Sequence, residues 1–111
     1  MSWVRICPPT ALLPERGTAA LLPDGSQVAL FPLADGRLYA LDNLDPFSGA
    51  QVLSRGVLGD RGGVATVASP MHKQVFALDS GRCLDDENVM VATHPVRLRD
   101  GYVELLTGAA A

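Results

Sequence analysis

The chain has 111 residues, 48% of them apolar, and a formal charge of −3 with acidic and basic residues mixed along its length. That describes one compact domain, able to bury roughly two thirds of the surface its unfolded form exposes and so to hold a core without metal or disulfide. The charge balance excludes a basic face for a nucleic acid backbone, and no run approaches the roughly 18 apolar residues needed to cross a bilayer.

The first predicted element is a strand over Trp3–Cys7. Pro8 and Pro9 follow it too soon for the continuous apolar region of a signal peptide, so a cytoplasmic location is expected. Pro8 to Arg16 has room for one short turn. Strands are then predicted over Thr18–Leu22, Gln27–Leu33 and Arg37–Asp42, separated by the turn signals PDG at 23–25 and ADG at 34–36. Asp-Gly between apolar runs is a strong local hairpin signal, because these residues tolerate positive φ. Pro32 has no amide hydrogen to donate, which places it on an edge strand or at a bulge. Gln51–Leu58, broken by Gly56, has room for a helical turn or two, and GVLGDRGG at 56–63 is expected to be a flexible, solvent-facing loop. It has glycines in abundance but lacks Gly-Lys-Ser/Thr and a following helix, so a phosphate loop is excluded.

Strands are predicted again over Val64–Ala68 and Gln74–Leu78, then after the DSG turn at 79–81 over Val96–Arg99 and, across RDG at 99–101, over Tyr102–Leu106. LDDEN at 84–88 reads as a solvated loop. Eight short strands with such turns predict an all-β domain over residues 1–106, a small sandwich or partly open barrel, with residues 107–111 as a frayed tail. Cys7 and Cys83, far apart in a chain with no export signal, are expected to be reduced core residues.

Two loops break this pattern, DPFSGAQVLSRG at 45–56 and SPMHKQVFALDSGRCL at 69–84. Each has a proline after its first residue, then polar or small residues, then an apolar run. The pair resembles the cluster-binding loops of Rieske iron–sulfur domains, which read Cys-Pro-His-x-Gly and Cys-Pro-x-His-Gly. In those domains two Cys hold one iron and two His the other. Carried over by position, Asp45 and Ser69 stand at the Cys positions, Phe47 and His72 at the His positions, and Gly49 and Lys73 at the glycines. One ligand of four survives. A [2Fe–2S] cluster needs thiolates on its first iron, and Cys7 and Cys83 lie outside the ligand positions.

The stretches ALDNLDPFSGAQVLSRGVLGDRGG and VASPMHKQVFALDSGRCLDDENV further resemble the small subunits of NAD(P)H-dependent assimilatory nitrite reductases, including the substituted positions themselves. The resemblance implies a Rieske-like fold, no cofactor and no catalytic residue in this chain. It also implies a large partner subunit that carries FAD, a [4Fe–4S] cluster and sirohaem and reduces nitrite to ammonium. By analogy with cluster-bearing relatives, whose apical tip meets redox partners, Pro46, Phe47, Ser48, Met71, His72 and Lys73 are the expected partner contacts. Two other readings are a free-standing interaction or regulatory module of the same fold, and an electron-carrying ferredoxin, which the missing ligands disfavour.

The bland alternatives for single residues are clear. A lone His72 among Ser, Asp and Phe makes a poor metal site, and His94, before Pro95, reads as an extended residue ahead of a strand. Without iron the tip needs another closure. Phe47 is expected to fill the vacated volume, Asp45 and Ser69 to bond neighbouring backbone amides as Asx-type and Ser turns, and Lys73 to bring its ammonium near Asp45.

Overall fold

The computed structural model describes residues 2–107 and contains nine strands arranged as three antiparallel sheets of three. In chain order they are β1 (Ser2–Cys7), β2 (Thr18–Leu21), β3 (Gln27–Pro32), β4 (Leu38–Asp42), β5 (Val57–Arg61), β6 (Val64–Ala68), β7 (Val75–Ala77), β8 (Val96–Arg99) and β9 (Tyr102–Thr107). The sheets are β1-β9-β8, β2-β3-β4 and β5-β6-β7, and none closes into a barrel. Two 3-10 turns, Pro9–Ala11 and Leu53–Arg55, are the helical content, in the two places where the sequence allows a turn.

All eight predicted strands are present, with no end shifted by more than one residue. β9 runs on through Thr107, and residues 108–111 of the expected tail lie outside the described residues. A ninth strand, β5, occupies the segment expected to be a loop. Arg61 pairs with Val64, leaving Gly62 and Gly63 as a two-residue turn, both at positive φ, 63° and 89°. That is the geometry a tight hairpin requires of both central residues. The glycines of GVLGDRGG are hairpin chemistry, and Asp60 Oδ1 accepts the Gly63 amide at 3.0 Å. Pro32 is neither on an edge strand nor in a bulge. It ends β3, the middle strand of its sheet, beyond the last pairing with β2, so its missing amide hydrogen costs no ladder bond there, while its carbonyl accepts from Glu15 N at 2.7 Å.

The apolar residues sort into two clusters. One joins Ala29, Phe31, Leu41, Leu53, Val67, Phe76, Leu78, Cys83 and Val91 and lies beneath the loops at 45–49 and 69–73, with Phe47 packed onto it. The other joins Leu12, Ala20, Leu22, Val28, Leu30, Ala40, Val103 and Leu105 beneath the β1-β9-β8 sheet. β3 serves both, because its alternate residues Ala29 and Phe31 face one cluster while Val28 and Leu30 face the other. A strand buried on both faces reads as a continuous apolar run, as VALF does here.

Cys83 belongs to the first cluster and Cys7 packs against the second, and both are free thiols. Cys83 is thus a core residue as expected, whereas Cys7 is half-buried at the edge of the second cluster, where burial pushes its thiol above its ordinary value. Among the described residues no helix is long and apolar enough to cross a membrane.

Candidate functional site: the paired apical loops

The two loops singled out by sequence have the same backbone design. In the first, the Asp45 amide donates to Ala50 O at 2.9 Å and the Gly49 amide donates back to Asp45 O at 2.8 Å. In the second, Ser69 N donates to Gln74 O at 2.9 Å and Lys73 N to Ser69 O at 3.0 Å. The fifth residue of each turn is left-handed, Gly49 at φ 77° and Lys73 at φ 62°. Glycine adopts that conformation freely, whereas a lysine there carries a steric cost of about 1 kcal/mol.

The first residue of each loop also closes its own turn with its side chain. Asp45 Oδ1 accepts the Phe47 amide at 2.9 Å, and Ser69 Oγ accepts the Met71 amide at 3.3 Å. These are the Asx-type and Ser-turn bonds that the residue types predict. Their meeting was not foreseen. Ser69 Oγ donates to Asp45 Oδ2 at 2.6 Å, with both residues essentially buried, so one short hydrogen bond joins the two loops at the positions of the two cluster cysteines.

Burial is the largest single influence on the Asp45 carboxyl and pushes its pKa up. The Ser69 hydroxyl, the Phe47 amide and the Ser48 donors together outweigh it and hold the pKa below the ordinary aspartate value. The carboxylate is therefore ionised and solvated by fixed protein donors. Both of its oxygens are occupied, and Lys73 makes no ion pair with it. The predicted approach of the ammonium is replaced by the Ser69 hydroxyl, which reaches the buried carboxylate while the lysine stays exposed.

Phe47 is half-buried, its ring 6.2 Å from that of Phe76 and tilted by 51°, so it fills the tip as predicted. Around this closed interior Pro46, Met71, His72 and Lys73 are exposed and Ser48 is half-buried, which leaves the expected contact residues accessible on one tip. Met71 is 51% exposed, a large apolar side chain in water.

Two supporting residues escaped the sequence reading. Asn43 is buried below the first loop. Its Oδ1 accepts Ser54 N at 2.7 Å, and its Nδ2 donates to Gln27 Oε1 at 2.9 Å and Gln51 O at 3.1 Å, which ties the loop's two ends to β3. An Asn directly after the last residue of a predicted strand, between Asp42 and Leu44, was the available signal. His94, which precedes Pro95, donates its backbone amide to Ala40 O at 2.9 Å, and its Nε2 lies 2.6 Å from Asp42 Oδ1. In the acidic run, Asp85 is fastened rather than simply solvated, with Oδ2 accepting the Val75 amide at 2.8 Å and Oδ1 3.4 Å from Arg61.

Tested as ligands of a [2Fe–2S] cluster, the residues at the four matching positions do not fit it. Phe47 has no donor atom, neither loop offers a thiolate, and the Asp45 and Ser69 oxygens are bonded to each other. Among the described residues no group of three or more His, Cys, Asp or Glu is placed to hold a metal ion.

Residues 2–106 match the family model described as a Rieske-like [2Fe-2S] domain. The nitrite reductase (NADH) small subunit of Escherichia coli K12 is 43% identical over 104 residues, covering 93% of this chain and 95% of that one. A crystal structure of a Mycobacterium tuberculosis protein assigned to the NADH-dependent nitrite reductase small subunits superposes with TM-score 0.93 at 52% identity, covering 98% of this chain and 97% of the other. A segment of the nitrite reductase [NAD(P)H] large subunit of Klebsiella oxytoca is 45% identical over 101 residues, 91% of this chain but 10% of that one. With its paired loops, substituted ligand positions and near full-length likeness to these relatives, the chain belongs to the Rieske-like domain family and, within it, to the nitrite reductase small subunits.

Proposed function

We propose that this chain is a cofactor-free small subunit of a cytoplasmic NAD(P)H-dependent nitrite reductase in nitrate assimilation. In this reading it binds a large subunit that carries FAD, a [4Fe–4S] cluster and sirohaem and converts nitrite to ammonium. The observation that carries the reading is the Ser69–Asp45 bond: the positions that would supply thiolates are spent on holding the two loops to each other. A tip closed this way is a rigid surface, and electron transfer through this chain has no centre to use. Support for the partner comes from the large-subunit segment of Klebsiella oxytoca that resembles this chain, since there the same domain is part of the large polypeptide.

The accessible tip, Pro46, Phe47, Ser48, Met71, His72 and Lys73, is the docking surface in this reading, with Met71 as its apolar contact. Lys73 is the only lysine in the sequence, which makes the test specific. An amine-reactive cross-linker added to the complex is expected to join Lys73 to the large subunit, and Lys73→Arg to abolish that product while leaving binding intact. Purified alone, the chain is expected to be colourless and free of acid-labile sulfide. Nitrite-dependent NAD(P)H oxidation by the large subunit is expected to fall when the chain is omitted, and undiminished activity without it refutes the role.

A further inference from the structure

The solvent face of the β1-β9-β8 sheet has a composition unlike the rest of this acidic chain. Trp3 and Arg5 on β1, Tyr102, Glu104 and Leu106 on β9, and Arg97 and Arg99 on β8 share that face by strand alternation, opposite Val103 and Leu105, which enter the core. In the ladders Arg5 and Arg97 flank Glu104, Trp3 lies opposite Leu106, and Arg99 lies opposite Tyr102.

The guanidinium of Arg97 sits 3.9 Å from the centre of the Trp3 ring and that of Arg5 4.7 Å from the Tyr102 ring. Glu104 fixes both through their Nε atoms, at 2.8 Å to Arg97 and 3.4 Å to Arg5. The bond from Arg97, with help from Arg5, holds the Glu104 carboxyl below its ordinary range, so the clamp stays charged. What the clamp leaves over is donor capacity. The hydrogen bond from Arg97 to Glu104 uses its Nε, and the guanidinium of Arg99 has no carboxylate partner among the described residues.

The charge of this sheet is the reverse of its surroundings. Its strands and the 99–102 turn carry three arginines against Asp100 and Glu104, a net +1 on a chain of −3, so the remaining residues carry −4. Arg, Trp and Tyr are the residue types that dominate binding energy at protein interfaces. Stacking and ion pairing have already ordered two of these arginines, which reduces the entropy lost on docking. The face lies over the core cluster that does not include Phe47, so it is separate from the apical tip.

We propose that this face is a second docking surface, taking an acidic segment of the large nitrite reductase subunit whose carboxylates pair with Arg97 and Arg99. The inference rests on the small-subunit reading, and complementary charge selects the occupant: a carboxylate-bearing surface is drawn to this face and repelled by the remainder of the chain.

The test compares Arg99→Glu with Arg82→Glu in binding of the full-length chain to its large subunit at low and physiological salt. Both arginines are exposed and without an ion-pair partner among the described residues, and both substitutions change the net charge equally. Arg99→Glu is expected to weaken binding about tenfold, mainly by slowing association and with a shallower salt dependence. Arg99→Gln should fall between it and the wild type, Arg99→Lys should stay within about twofold, and Arg82→Glu should stay close to wild type. Melting curves confirm that each variant is folded. Equal losses for Arg99→Glu and Arg82→Glu would mean that net charge alone matters and would overturn the proposal. No loss in either, with wild-type binding intact, would remove this face and leave the small-subunit reading standing. Absence of wild-type binding would remove that reading and this inference with it.

Discussion

Replacing Ser69 by Ala removes the side-chain hydrogen bond that joins the apical loops at Asp45. The hydroxyl donates to Asp45 Oδ2 at 2.6 Å, and Asp45 is completely buried, so water cannot take its place without opening the tip. A hydrogen bond to a charged group contributes about 1.5–3 kcal/mol, and leaving such a buried group unsatisfied costs a similar amount, which puts the loss near 2 kcal/mol at neutral pH. For a domain of this size that lowers the melting temperature by about 8 °C.

The loss should also depend on pH in a defined direction. The folded Asp45 pKa lies below the unfolded value of about 3.9, so its ionisation contributes stability that is fully present above that value and is lost as pH falls through the lower, folded one. Without Ser69 one of the donors that oppose burial is gone, the folded pKa moves up, and that pH-linked stability shrinks. The gap between wild type and Ser69→Ala is therefore largest near pH 7 and narrows as pH falls through the folded Asp45 pKa of each protein, closing once the carboxyl is protonated in both. Urea unfolding at a series of pH values measures it, and a double-mutant cycle with Asp45→Asn should give a coupling of about 1–2 kcal/mol. A loss under about 0.5 kcal/mol at pH 7, a gap independent of pH, or additive single mutants would each refute the clasp.

Other substitutions follow from the same tip. Phe47→Ala should cost about 2 kcal/mol in urea unfolding, less than for a fully buried phenylalanine, because its ring is half-buried against Phe76. Lys73→Gly should raise stability by up to about 1 kcal/mol, since the residue sits at φ 62° and its exposed side chain makes no bond among the described residues. Cross-linking through Lys73 and charge reversal at Arg99 test the two contact surfaces separately, and loss of one without the other would show which of them the large subunit uses.

The legible parts of this protein were those written in local patterns. Asp-Gly turns and alternating apolar residues placed the strands, because each of these turns sets its glycine at a positive φ that few residues tolerate and a strand shows its faces at period two. The ninth strand was missed because Gly-Gly in a polar setting reads as flexibility, while in the fold Gly62 and Gly63 meet the demands of a hairpin whose two strands pair from Val57 to Ala68. The substituted ligand positions were legible too, since ligand chemistry is carried by residue type: phenylalanine has no donor, and a serine or aspartate is no thiolate.

Contacts between distant segments were decided only in three dimensions. Sequence by itself determined an all-β chain with two similar loops and a cluster pattern that lacks its thiolates. It could assign Asp45 and Ser69 to their own turns, because those bonds span two residues. It could not bring the two side chains within 2.6 Å of each other, stack Arg97 on Trp3, or set His94 against Asp42, because those partners are 24, 94 and 52 residues apart. A short-range bond is set by the dihedral preferences of a few neighbouring residues, whereas these meetings depend on how three separately twisted sheets pack on two cores.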